Sequence, residues 1–155
     1  MRGERGESMG LGIYFCGSIR GGRNDVEIYG RIINYLKKFG RVFTEHIGSP
    51  DLVEKGEDGV KSGDKYIHDR DMKWLQEADV IVAEVTQPSL GVGYEIGRAV
   101  AMNKKILCLF RTSSKYILSA MIQGAENGTN FQVKDYSEDE VETILQQYFE
   151  VQLQA

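Results

Sequence analysis

Proline and cysteine each occur only twice in the 155 residues. So little proline argues against an extended linker, a collagenous repeat or a proline-rich recognition segment. Two thiols, Cys16 and Cys108, cannot build a disulfide framework and read as buried cysteines of an intracellular protein. No apolar run approaches the roughly 20 residues that a spanning helix needs, and the first ten residues lack the apolar stretch of a secretory leader. Basic excess is missing too. The net charge is -4 and the pI about 5.3, which argues against a generic nucleic-acid polymer or anionic membrane surface as partner.

What remains is an ordinary globular composition, 41% apolar and 27% charged, in a chain long enough to bury one continuous core unaided. Glycine stands out. It occurs 18 times, against an average usage of about 7%.

The chain alternates between two periods. Residues 11–15, 41–44, 80–85, 106–110 and, more weakly, 131–133 read as strands. The runs at 80–85 and 106–110 are nearly continuous in apolar residues, as strands covered on both faces tend to be. Helical stripes lie between them. Residues 25–39 carry Ile28, Ile32, Leu36 and Phe39 and meet Gly40, read as a left-handed C-terminal stop. Residues 64–78 carry Ile67, Leu75 and Ala78, and residues 91–103 carry Val92, Ile96, Ala99 and Val100. A short segment at 114–123 is apolar on more than one side. Ser137 and Glu140 form a capping-box signature ahead of Val141, Ile144, Leu145 and Tyr148. This order predicts an α/β domain over residues 11–150: a five-stranded parallel sheet of order 2-1-3-4-5, doubly wound and flavodoxin-like, with helices on both faces. Residues 1–10 and 151–155 read as tails, and 47–63 as a long surface loop.

The glycines cluster where such a fold binds ligands. Gly17-Ser18-Ile19-Arg20-Gly21-Gly22 follows the first strand; Gly91, Gly93 and Gly97 follow the third. Those two strand ends flank the point where the strand order reverses. Glycines there let backbone N–H groups approach an anion, and a helix N-terminus adds partial positive charge. Ser18, Arg20 and Ser89 would supply further donors. Plain turn geometry also accounts for glycines at βα junctions, and neither cluster matches a standard nucleotide fingerprint, but the meeting of two clusters at the switch point favours an anion site.

Two carboxylates stand in places a surface charge need not occupy. Asp71 falls four residues from both Ile67 and Leu75, on the inward stripe, where it is either hydrogen-bonded structurally or chemically used. Glu95 follows the third strand and faces the sheet side of its helix. A first-turn glutamate also complements the helix dipole, and a nearby N-terminus would keep Glu95 ionised, as a nucleophile requires. Asp71, on an apolar face, would have a raised pKa and act as an acid. Such a contrasting pair suits glycosidic bond cleavage. His46 and His68 match no metal-ligand spacing with the cysteines, so no metal is expected. Asn127-Gly128-Thr129 matches a glycosylation acceptor but carries no weight without a secretory leader.

Three segments together are more specific. Tyr14-Phe15-Cys16-Gly17-Ser18-Ile19-Arg20-Gly21-Gly22, the run from Ala83 to Glu95, and Leu118-Ser119-Ala120-Met121-Ile122 resemble the 2′-deoxynucleoside 5′-phosphate N-hydrolases of the nucleoside 2-deoxyribosyltransferase superfamily. The resemblance covers residues 11–150. It implies hydrolysis of a deoxynucleoside 5′-monophosphate to free base and 2-deoxyribose 5-phosphate, without cofactor, in a homodimer. It implies Glu95 as nucleophile, Asp71 as proton donor to the base and Tyr14 as the residue that orients Glu95. Phe15, Cys16, Gly17, Ser18, Ile19, Arg20, Gly21, Tyr29, His46, Ser89 and Gly91 would line the substrate and phosphate site, with Ser119 and Met121 reaching in from the neighbouring subunit. Ser89 stands where related nucleoside transferases carry an acidic side chain, and a neutral hydroxyl suits a phosphate better. A deoxyribosyltransferase and a non-catalytic nucleotide-binding module are the alternatives. Small subunits of this kind are compatible with both cytoplasm and nucleus.

Overall fold

The computed structural model describes residues 10–19, 25–48 and 63–152. Arg20, Gly21 and Gly22, the tail at 1–9, and most of the 47–63 loop lie outside the described residues.

Five parallel strands form the sheet: β1 (Leu11–Cys16), β2 (Gly40–Val42), β3 (Val80–Glu84), β4 (Lys105–Arg111) and β5 (Phe131–Tyr136). Their order is β2-β1-β3-β4-β5, the doubly wound arrangement anticipated. Ile13 pairs with both Val42 and Val80, so β1 sits inside the sheet next to the reversal point. The helices are α1 (Val26–Leu36), α2 (Gly63–Glu77), α3 (Leu90–Ala101), α4 (Ala120–Gln123) and α5 (Val141–Gln147), the last continued by a wider π-type turn over Tyr148–Gln152.

The sheet separates two cores, and strand alternation decides which residue serves which. One face takes Ile13, Phe15, Val80, Val82, Leu107 and Leu109 against Ile28, Ile32 and Leu36 of α1 and Val141 and Leu145 of α5. The other takes Tyr14, Cys16, Ile81, Ala83, Ile106 and Cys108 against Leu75, Val92, Ile96 and Ala99. Each fully buried Leu or Ile contributes about 1.5–3 kcal/mol. α2 ends where Lys104 Nζ donates to the carbonyls of Gln76 (2.6 Å) and Ala78 (2.8 Å), satisfying acceptors the helix itself leaves open. Among the described residues no helix is long and apolar enough to cross a membrane, and no group of three or more His, Cys, Asp or Glu could hold a metal ion.

Two local expectations are corrected. Gly40 is not a left-handed helix stop; it opens β2 and pairs with Leu11. Its lack of a side chain is needed for closeness, because a Cβ there would lie 2.1 Å from the Leu11 carbonyl oxygen. The helix expected at 114–123 is confined to Ala120–Gln123, capped by the Ser119 hydroxyl, which accepts from the Met121 N–H at 3.1 Å. Apolar composition alone could not hold 114–119 helical, because Ile117 and Met121 have no protein face to bury against: they are 93% and 82% exposed.

Candidate active site

A cavity of about 580 Å³ opens beyond the carboxyl ends of β1 and β3. α2 supplies Asp64, Ile67, His68, Asp71 and Met72, spaced i, i+3, i+4, i+7 and i+8 and therefore on one helical stripe. The start of α3 supplies Leu90, Gly91, Val92, Tyr94 and Glu95, with Ser89 just ahead; Gly17, Ile19 and Ile47 complete the lining. Both glycine clusters thus meet one crevice.

Tyr14 and Cys16 lie on the same face of β1, and both reach Glu95. The Tyr14 hydroxyl donates a short hydrogen bond to Glu95 Oε2, and the Cys16 side chain hydrogen-bonds the same carboxyl group. Burial drives the Tyr14 phenol and the Cys16 thiol well above their ordinary pKa, so both remain protonated donors. Glu95 itself is lifted to about 7, chiefly by burial; the donors Tyr14 and Cys16 pull it down and the neighbouring Asp71 carboxyl group pushes it up. The helix N-terminus does not keep it low as expected. Glu95 is the sixth residue of α3, beyond the first turn where the dipole acts.

Asp71 does lie inward, on the cavity wall, but it does not stand alone on an apolar surface. Arg70 donates to its Oδ1 from Nε (3.0 Å) and Nη2 (2.9 Å), while the Arg70 guanidinium lies 4.6 Å over the Trp74 ring. At the mouth, His68 Nε2 and the Tyr94 hydroxyl are 2.8 Å apart, joining α2 to α3, and His68 Nδ1 meets Asp69 at 2.9 Å.

The remaining expected residues divide by position. Gly17, Ile19, Ser89 and Gly91 line the cavity. Ser89 is also the N-cap of α3, its Oγ accepting from the Val92 N–H at 3.2 Å; the hydroxyl proton is still its own to donate. A Cβ at Gly91 would meet only Ser89 Oγ, at 3.9 Å, so its openness faces the crevice rather than the core. Phe15 points to the opposite sheet face, edge-on to Tyr29 at 5.5 Å. Tyr29 and Ser18 are buried there as well, the Ser18 N–H donating to the Tyr29 hydroxyl at 3.0 Å. His46 sits beside Trp74 (ring centroids 6.2 Å) and is not among the cavity-lining residues, whereas its neighbour Ile47 is. Ser119 and Met121 are exposed at α4 and do not line the cavity. Arg20 and Gly21 lie outside the described residues. Sequence reasoning passed over Arg70, Tyr94, Met72 and Leu90, although Met72 and Arg70 sit beside Asp71 on the helix already singled out.

The model of one protein family, described as nucleoside 2-deoxyribosyltransferase, matches residues 13–143 of the chain. The chain belongs to this family. Among its relatives is a 5-hydroxymethyl-dUMP N-hydrolase of Esox lucius, 66% identical over 137 residues, covering 88% of this chain and 94% of that protein. The Homo sapiens 5-hydroxymethyl-dUMP N-hydrolase is 60% identical over 147 residues, covering 95% and 84%. Among solved structures, a CMP N-glycosidase of Clostridium botulinum superposes with a TM-score of 0.62 at 23% identity over 88% of this chain and 98% of that one. That last likeness is one of fold. In this deoxyribosyltransferase-family chain, all three segments that carried the resemblance fall within the matched span.

The pKa of Glu95 sets a test. The free-enzyme rate constant kcat/KM should rise with pH along an acid limb centred near 7, where Glu95 loses its proton. Tyr14→Phe removes a donor that favours the carboxylate, so that limb should move to higher pH and activity at pH 7 should fall. An unmoved limb in the variant would show that another group titrates.

Proposed function

We propose that this protein hydrolyses the N-glycosidic bond of 2′-deoxynucleoside 5′-monophosphates to free base and 2-deoxyribose 5-phosphate. The observation that carries the reading is the pair of carboxyl groups on one cavity: Glu95 held by Tyr14 and Cys16, and Asp71 held by Arg70. With Glu95 ionised, its oxygen attacks the anomeric carbon as the bond from that carbon to the base nitrogen breaks. Asp71, which lines the same cavity as Glu95, is assigned the proton that the leaving base takes up. Water then attacks the anomeric carbon of the deoxyribosyl–Glu95 ester, Asp71 takes a proton from that water, and Glu95 leaves as the carboxylate.

Gly17, Ser89 and Gly91 are assigned the 5′-phosphate and Ile19, Ile47, Ile67 and Met72 the apolar wall around sugar and base. The names of the relatives make 5-hydroxymethyl-dUMP the first nucleotide to assay. Incubated with that nucleotide or with each ordinary deoxynucleoside monophosphate, the protein should release base and deoxyribose 5-phosphate without any acceptor. A new nucleotide formed only when a second base is added would make it a transferase instead, and binding without turnover would make it a module.

The same reading includes a homodimer that brings Ser119 and Met121 to the neighbouring site. Leu90, Gly93, Gly97 and Val100 share one stripe of α3, with Leu90 95% and Val100 47% exposed and open space above both glycines. Exposed apolar groups around side-chain-free positions suit close approach of a second copy. Leu90→Arg should convert a dimer to a monomer in sedimentation and weaken nucleotide binding. A monomeric parent protein with full activity would refute the shared site.

A further inference from the structure

Opposite the reacting carboxylates, on the other face of the sheet, lies a polar cluster that the chemistry above does not use. Glu84 ends β3 and is fully buried. Its Oε1 accepts from the Thr86 N–H at 2.9 Å; its Oε2 accepts from the Thr86 hydroxyl at 2.7 Å and the Tyr136 hydroxyl at 2.5 Å. The Thr86 hydroxyl oxygen in turn accepts from the Arg111 N–H at 2.8 Å. The Arg111 guanidinium donates from Nη2 to Asp25 Oδ1 at 2.9 Å, and it lies 3.9 Å from Glu84 and 3.8 Å from Glu138. One buried carboxylate thereby ties together the ends of β3, β4 and β5 and the residue preceding α1.

Burying such a group is costly unless every donor is placed, and an apolar residue would fill the space more cheaply. What the cluster fixes is position. Thr86 begins the turn that leads to Ser89, the cap of α3 and one side of the crevice's anion end. Asp25 directly precedes α1, whose Tyr29 hydroxyl receives the Ser18 N–H beside Gly17, the other side. Arg111 meets three carboxylates and carries one positive charge, so it acts as a tie rather than as an anion receptor.

We propose that the Glu84, Arg111 and Asp25 cluster is a positioning device for phosphate recognition, holding the residues at 17–19 and the Ser89 turn at the spacing a phosphate group needs. This rests on the nucleotide reading above. Arg111 and Asp25 are positioning residues, since neither lines the cavity.

The test separates binding of the anion from chemistry. In Arg111→Met, KM for the nucleotide and the inhibition constant for inorganic phosphate should both rise about tenfold, with kcat within twofold of the parent. Asp25→Asn, a shape-preserving change outside the core, should move both constants in the same direction, and it decides the matter if Arg111→Met does not fold. Because the two residues act through one bond, the double variant should be little worse than the worse single one. An unchanged phosphate constant, or a fall in kcat as large as that in kcat/KM, would overturn the proposal and leave the cluster a merely structural tie. If the parent protein releases no base from any nucleotide, the hydrolase reading fails. The shift in melting temperature produced by inorganic phosphate, compared between parent and Asp25→Asn, then still tests this one.

Discussion

Glu95→Gln is expected to lose base release by about 10⁴-fold or more, the scale on which removal of a covalent nucleophile acts. The amide keeps the size of the side chain and can still accept from the Tyr14 hydroxyl, so the fold should persist while the attacking oxygen is lost. The variant should also be more stable than the parent at alkaline pH. The sign follows from the direction of the shift. Burial raises the folded-state pKa of Glu95 from 4.5 to about 7. Between those values the unfolded chain has given up the proton while the native protein still holds it. Stability contributed by this group is therefore complete below about pH 4.5 and is lost as pH rises through 7. Glutamine has no proton to lose. A Glu95→Gln protein that turns over at the parental rate would remove Glu95 as nucleophile; one that melts below the parent at pH 8 would mean that the carboxylate is held better than its burial implies.

Gly40→Ala should give the largest loss of stability from a single methyl group. β2 is a three-residue edge strand whose first residue pairs with Leu11, and a Cβ at Gly40 would lie 2.1 Å from the Leu11 carbonyl oxygen and 2.8 Å from its carbon. Those are backbone atoms of an interior strand, so no side chain can swing aside. The expected cost is about 3 kcal/mol, at the upper end for overpacking, or roughly 6–12 °C in Tm for a domain of this size. Thermal unfolding of the two proteins at one pH measures it. A Tm within 2 °C of the parent would show that β2 can shift away from β1 at little cost. Base release per folded molecule should stay near the parental value, because β2 supplies no residue to the cavity.

The same glycine shows where the sequence misleads. A glycine after an amphipathic run is read as a helix stop, and only the pairing partner reveals that it is needed for strand contact. Long-range order was more legible. Five apolar segments separated by helical stripes define a doubly wound sheet, because parallel strands buried on both faces carry their own signature. Glu95 and Asp71 were found for a comparable reason: a carboxylate on an inward stripe is expensive, so its position is informative. Their protonation was not readable, since it depends on Tyr14, Cys16 and Arg70, which only folding brings near. Residues 64–78 make the same point on a smaller scale. One apolar stripe is visible, yet its first half faces the cavity through Ile67, Asp71 and Met72, while Leu75 and Ala78 pack into the core. Periodicity shows that a face is covered and is silent on whether protein or ligand covers it. Segment 114–119 marks the opposite limit, where Ile117 is apolar in sequence and yet 93% exposed in the fold, so apolar composition alone does not reveal burial.

The alternation of β1 divides one strand into two vocabularies. Ile13 and Phe15 pack into the core beneath α1, whereas Tyr14 and Cys16, buried in the second core, also touch the Glu95 carboxyl group. A substitution at the first pair disturbs packing alone, and one at the second disturbs packing and the Glu95 carboxyl group together. Along β1, stability and the proton affinity of one cavity carboxyl group are therefore coupled, and Tyr14 or Cys16 cannot be changed for the one without moving the other.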